Sequence, residues 1–397
     1  MTDLLKEVFS NVTIYPTIGN HDAFPSNQMP ADEGRDYYDQ LLKVSNWNIL
    51  LKPEEQDQFL KGGFYSCLIR PGLRIISLNT NLYYSLDKET VSKTDPGNQL
   101  QWLDQQLRYA SDHGEKTILM AHVPPGSFER SLNITWMYTA FNDRLVDILK
   151  KHNHVISAQI YGHEHTDSFK IIYDGKIPVS VLLMAPAVSP MNSSLPGVGP
   201  NNPGIRLYFY RRTTGEIINY HQYYLNLKKI HPVSNSANWE LEYRALEDML
   251  VTDMSPQSFD NLVKEFPKKE MAKFQKYLQY NTVSYREKST LKPDAKEFQQ
   301  HVCAITRLTT DSYQACISMS PNAYLLLKSP EGPQSKNKGP ELPIYTYYVV
   351  TAFAALTFLV LVVMSVVRKQ CTRTPALPFR YRPLTNDCQY VQRERAT

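Results

Sequence analysis

The sequence predicts an α/β layer fold followed by a small α-helical unit and a single apolar span. Three observations carry this. Over the first 225 residues, short β-rich runs alternate with helix-period patterns, the signature of helices layered on a sheet. Beyond Pro232, helical patterns follow one another without strands between them. Near the end, Ile344 to Val367 is a run of 24 uncharged residues. The 397 residues, 42% hydrophobic and 21% charged, suffice for two or three structural units with a sizeable core. Sixteen glycines and 26 prolines exclude a collagen repeat, and five cysteines exclude a disulfide-packed miniprotein.

Taken in order, the apolar runs Val12–Ile18, Leu73–Leu78, Thr117–Ala121, Val155–Tyr161 and Val179–Met184 read as strands. Asn98–Ala110 places Leu100, Leu103 and Leu107 at helical spacing, and Phe141–Lys151 does the same with Leu145, Ile148 and Leu149. Arg206–Tyr224 reads as a β-hairpin turning at Thr214-Gly215. Trp239–Val251, Pro256–Phe266, Lys268–Tyr280 and Ala295–Arg307 read as helices. The expected organisation is an α/β domain over 1–230, a helical unit over 231–327 and a polar, Pro-rich stalk over 328–343. Cys303 and Cys316 close the helical unit and are expected to pair in a disulfide outside the cell, while Cys67 has no evident partner.

A 24-residue helix spans about 36 Å, enough for a hydrocarbon core of about 30 Å. Residues 344–367 are therefore expected to form a transmembrane helix, with Tyr345, Tyr347 and Tyr348 at the headgroup level. Arg368 and Lys369 follow at once. The positive-inside rule then makes 368–397 a cytoplasmic tail and implies a single-pass type I protein with its main domain extracellular or lumenal. The plasma membrane and the endolysosome both fit. Three Asn-x-Ser/Thr sequons, at Asn11, Asn133 and Asn192, lie on the expected lumenal side as candidate glycosylation sites. In the tail, Cys371 is a candidate for palmitoylation and Tyr381-Arg-Pro-Leu384 has the shape of a sorting signal. The first 16 residues carry no basic n-region and no apolar h-region. Either the span directs insertion or the chain lacks its natural start.

The formal charge of +4 belongs to the tail, where seven basic residues face two acidic ones. The rest holds 36 basic and 37 acidic residues. With no basic stripe to neutralise phosphates, nucleic-acid binding is excluded.

Chemistry is concentrated at three strand ends: Gly19-Asn20-His21-Asp22, Ala121-His122-Val123-Pro124-Pro125-Gly126 and Gly162-His163-Glu164-His165. In open α/β sheets ligands collect outside the carboxyl ends of strands, so three such loops can converge on one crevice. His163 and His165 are two apart and face one way on an extended segment. Imidazoles aimed together need a metal or a proton between them. The other six histidines read as ordinary surface or core residues.

The ordered set resembles the calcineurin-like metallophosphoesterases, and within them the acid sphingomyelinase-like phosphodiesterases, over roughly residues 11–325, about four fifths of the chain. Flanking stretches support the narrower match: Gly62-Gly63-Phe64-Tyr65, Gln101-Trp102-Leu103, Ala185-Pro186-Ala187-Val188-Ser189-Pro190 and Asn202-Pro203-Gly204-Ile205-Arg206. The resemblance implies a metallophosphoesterase sandwich and two zinc ions. Asn20, His122 and His163 would be ligands of one ion and His165 the last ligand of its neighbour. His21 would be the acid that protonates the leaving oxygen. Asp22 either orients His21 or serves the turn.

The family pattern also calls for an early Asp-x-His and a Gly-Asp, and neither occurs in the sequence. The first zinc site would keep only His165. Two strands expected before Val12 are missing with those ligands, which favours an N-terminally truncated chain over a degenerate homologue. The resulting expectation is a membrane-anchored phosphodiesterase cleaving phosphodiester or pyrophosphate bonds of nucleotides or phosphocholine lipids, soluble substrates being preferred. The alternative is an inactive membrane-anchored homologue acting as a binding module.

Overall fold

A computed structural model describes residues 1–328 apart from 32–33, 133, 191, 194–198, 231–237 and 250. A six-stranded sheet lies at the centre, with β1 (Tyr65–Arg70), β2 (Leu73–Ser77), β3 (Lys116–Met120), β4 (Ile156–Tyr161), β5 (Ser168–Asp174) and β6 (Ile177–Met184). Their order is β1-β2-β3-β4-β6-β5. The four inner strands are parallel, and β1 and β5 run antiparallel at the two edges. Helices α1 (Thr2–Val8), α2 (Arg35–Val44) and α3 (Pro53–Phe59) precede β1, while α4 (Gln99–Asp112) and α5 (Thr139–Lys151) precede β3 and β4.

Local chemistry fixes these helices. In α4 the residues Leu100, Leu103, Leu107 and Ala110 form one buried stripe, as a 3.6-residue period requires. Asp95 accepts the first free amides of α4, from Leu100 at 2.9 Å and Gln101 at 3.0 Å. The α4–α5 side of the sheet is a largely apolar core built with Ile75, Ile76, Leu119, Leu182 and Met184.

After β6 come the short pair β7 (Asn192–Ser193) and β8 (Gly199–Pro200), then β9 (Gly204–Tyr210), β10 (Ile217–Leu225) and β11 (Trp239–Arg244). The last three form an antiparallel sheet in the order β11-β10-β9. Gly215 sits in the β9–β10 turn at φ +71°, and a Cβ there would come within 2.3 Å of Leu73. Only glycine suits both demands. Six α-helices follow among the described residues: α6 (Ala245–Asp248), α7 (Pro256–Glu265), α8 (Ala272–Asn281), α9 (Ala295–Thr306), α10 (Thr310–Ile317) and α11 (Pro321–Lys328). Ser255 and Asp294 cap α7 and α9. Phe259, Phe274, Phe298 and Val302 from these helices share a second core with Phe169, Ile171, Tyr220 and Tyr243 from the sheets. Cys303 and Cys316 are disulfide-bonded, and Cys67 is buried and reduced.

Three expectations are corrected. Val12–Ile18 is not a strand. Pro16 has no amide to donate to a ladder, and its carbonyl instead accepts the Tyr65 hydroxyl at 2.8 Å. Trp239–Val251 is not one helix: Trp239, Leu241 and Tyr243 alternate with polar residues and pair as β11 with β10, leaving only α6 helical. The transmembrane helix of the expected fold class, and the single-pass type I placement that rests on it, find no support among the described residues. No helix among the described residues is long and apolar enough to cross a membrane. The longest of these, α4, has 14 residues, about 21 Å against a hydrocarbon core of about 30 Å. Residues 329–397, including the run 344–367, Cys371 and Tyr381, lie outside the described residues.

Candidate functional site

Three loops, two of them at the carboxyl ends of neighbouring strands, bring Asn20, His122 and His163 together. His122 follows β3 and His163 follows β4, and the Gly162 amide donates to the His122 carbonyl at 3.0 Å. Asn20 is carried on the segment after Ile18, whose carbonyl accepts from Asn81 at 2.9 Å. Asn20 Oδ1 lies 2.7 Å from His122 Nε2 and 3.3 Å from His163 Nδ1. The two ring nitrogens are 3.3 Å apart. Glycine at position 19 eases this closeness, since a Cβ there would sit 3.3 Å from the His122 ring.

The amide of Asn20 is oriented by Asn27, whose Oδ1 accepts from Asn20 Nδ2 at 2.7 Å. This turns Asn20 Oδ1 towards the histidines. Burial, then the neighbouring His165 and His21, pushes His122 down to about 4. Burial, then His122, His165, His21 and Lys170, holds His163 well below the usual imidazole range. His165 is lowered too, by burial and then by His21. Neutral imidazoles keep their lone pairs, the form in which histidine binds a metal.

His21 is exposed, with Nδ1 3.5 Å from the Ser26 hydroxyl. The Asp22 carboxylate accepts the Gly19 amide at 2.7 Å while its own amide donates to the Gly19 carbonyl, so Asp22 closes the turn presenting Asn20. The His165 carbonyl accepts from Asn201 at 3.0 Å. Asn11 and Asn192 are exposed, and Asn133 lies outside the described residues.

Among the described residues no group of three or more His, Cys, Asp or Glu is placed to hold a metal. The converging set is two imidazoles and one amide oxygen. Donors around a tetrahedral ion at about 2.0–2.2 Å stand about 3.3–3.6 Å apart; the two separations from His163 Nδ1, 3.3 Å each, match this, and the 2.7 Å between Asn20 Oδ1 and His122 Nε2 would open by about 0.6 Å around an ion. The three donors therefore fit one cation.

Several residues that shape the site were not singled out in the sequence. Glu164, between the two histidines, points inward and pairs with Lys170, and both are buried. Trp136 Nε1 donates to Glu164 at 2.8 Å, and its ring meets the His163 ring edge-on at 4.5 Å. Beneath the next residues, Glu129 accepts from Thr166 at 3.0 Å and from Asn281 at 2.9 Å. Asn281 also donates to the Asp167 carbonyl at 2.9 Å and accepts from Arg130 at 2.7 Å. Asp167 forms a buried ion pair with Arg206 at 2.6 Å and accepts from Tyr243 at 2.7 Å. Glu164 and Arg206 lie within stretches that carry the family resemblance, whereas Trp136, Glu129, Lys170, Asn281 and Tyr243 lie in none. Their roles follow from partners up to 152 positions away.

Comparison with known proteins places this geometry in a class. The model of the calcineurin-like phosphoesterase family matches residues 1–167, and that of the acid sphingomyelin phosphodiesterase C-terminal region matches residues 177–322. The mouse (Mus musculus) acid sphingomyelinase-like phosphodiesterase 3b is 39% identical over 324 residues, covering 80% of this chain and 69% of that protein. The human (Homo sapiens) cyclic GMP-AMP phosphodiesterase SMPDL3A is 40% identical over 321 residues, again covering 80% and 69%. Human sphingomyelin phosphodiesterase is 31% identical over 280 residues, covering 66% of this chain and 41% of that protein. The fold is that of a calcineurin-like phosphoesterase, a metal-dependent class. Within it the chain belongs to the acid sphingomyelinase-like phosphodiesterase family of hydrolases.

Proposed function

We propose that the chain hydrolyses phosphodiester or pyrophosphate bonds of soluble nucleotide substrates, using zinc held by Asn20, His122 and His163. The observation that carries this reading is the meeting of three donor atoms from three separate loops within 3.3 Å of one another. When bound, zinc supplies positive charge against a phosphoryl oxygen and acidifies water. The rest is done by the chain's own residues. Asn27 aims the Asn20 carbonyl, and burial keeps His122 and His163 unprotonated. His165 borders the site as the ligand offered to a second ion. His21 lies exposed, close enough for its charge to depress the three other imidazoles, and is the proton donor to the leaving oxygen.

One feature supports nucleotides over lipids: identity is 40% with a protein named for cyclic GMP-AMP and 31% with one named for sphingomyelin. The test is turnover of a cyclic dinucleotide, of ATP and of sphingomyelin vesicles by purified protein, with zinc, with EDTA and after zinc is restored. EDTA-sensitive nucleotide cleavage that Asn20→Ala and His163→Ala abolish is the expected result. Cleavage indifferent to EDTA, or confined to sphingomyelin, removes the proposal.

A second reading, a binding module without turnover, is favoured by one observation: Asp-x-His and Gly-Asp are both missing from the sequence. Zinc binding without turnover of any of the three substrates would establish it.

A further inference from the structure

Resting on the metal-site reading above, we infer that Lys170 is a positioning residue that holds the His122 and His163–His165 loops in register from beneath. Along β5 side chains alternate. Phe169 and Ile171 enter the core shared with the C-terminal helices, so Lys170 points the other way, towards Glu164 and Ser127. Its side chain is 1% exposed. The ammonium pairs with Glu164 and donates to the Ser127 carbonyl at 3.0 Å. One cation thus joins the residue between the paired histidines to the loop that continues from His122.

The arrangement is constrained from above as well. His163 and His165 both have positive φ, 68° and 58°, a conformation that costs a non-glycine residue free energy and persists only when its surroundings impose it. Glu164 is the anchor between them, held by Lys170 and by Trp136, whose ring abuts His163. Tyr84 meets the same imidazole at 4.9 Å. The Gly162 amide bond to the His122 carbonyl links the two loops directly and reports their register.

The pair must be tested as a unit, because removing one partner leaves a buried uncompensated charge, whereas neutral residues of similar size are tolerated. In the full chain, K170M/E164Q is expected to melt close to the parent. Metal-free hydrogen exchange in peptides spanning 158–167 should become at least tenfold faster at Gly162, with β9–β10 peptides unchanged. Cobalt(II) affinity, read from its visible absorption, should fall about tenfold or more, the usual cost of losing such supporting contacts. Lys170→Arg, which keeps a cation between Glu164 and Ser127, should restore both.

Unchanged Gly162 exchange in the folded double variant overturns the inference, whatever cobalt does. Faster exchange with unchanged cobalt affinity overturns it as well. If that double variant does not fold, K170Q/E164Q, which also removes both charges together, is read by the same two measurements against the same outcomes. If the parent takes up no cobalt, the metal reading fails, and Gly162 exchange alone decides the role of Lys170.

Discussion

Two buried regions of this molecule are held together by different physics. On the α4–α5 side of the sheet, Leu100, Leu103, Leu107, Leu145 and Leu149 pack on Ile75, Ile76 and Leu119, with the Gln99 side-chain amide satisfied by the Asn79 backbone. At the junction of the sheet with β9–β11 and α7–α9, the interior also contains Asp167 paired with Arg206, Glu129 bonded to Asn281, and a buried His301. The first region is stabilised mainly by the area and volume it buries. The second holds charges that are tolerable only while every partner is in place. The strand-end histidines sit on the first, and the loop that continues from them is clamped by the second.

The contrast can be broken most forcefully at Arg206. Arg206→Met should cost about 3–5 kcal/mol, because it strands the Asp167 carboxylate in the interior. Adding Asp167→Leu should recover most of that loss. Urea unfolding of the single and double variants measures both, and a single variant as stable as the parent would show that the junction does not depend on charge pairing.

Leu103→Ala probes the apolar region, where volume is expected to decide. Leu103 is fully buried, so the loss should be about 2–5 kcal/mol in the same urea series. A compensating charge elsewhere should do nothing to repair it.

The smallest effect is pH-dependent. Burial is the main reason that His301 is pushed down to about 3; Glu129 opposes, and Arg130 and Arg286 add to the shift. Its folded value lies below the unfolded one of about 6.5, so the unfolded chain gains the proton first. The contribution is complete above about pH 6.5 and is lost progressively as pH falls towards 3. Between pH 7 and 5.5 this amounts to about 1 kcal/mol. His301→Gln should flatten that part of the stability profile, as followed by thermal melts across pH. An unchanged slope would place the acid sensitivity elsewhere in the junction.

How far each region could be read from sequence follows the same division. The stripe of α4 was legible because Leu100, Leu103 and Leu107 repeat at the helical period. The β9–β10 hairpin was legible from Gly215 in its turn. In Trp239–Tyr243 the alternation Trp-Glu-Leu-Glu-Tyr was itself a strand signal, overridden by the helical segments that follow it. Lys170 gave no such hint, since a lysine inside a strand ordinarily marks a solvated face. Only its meeting with Glu164 and Ser127 makes burial possible.

By itself, the sequence determined the periods of the main helices and strands, and the order in which glycine, asparagine and histidine appear at the strand ends. These are local properties, set by backbone geometry over a few residues. The tertiary structure alone decided that Asn20, His122 and His163 meet within 3.3 Å, that Asp22 serves its turn and that Asn281 reaches under the histidine loop. Each of those outcomes depends on which polar atoms lose water together. That is settled by distances in space between residues far apart in the chain, and no local pattern encodes it.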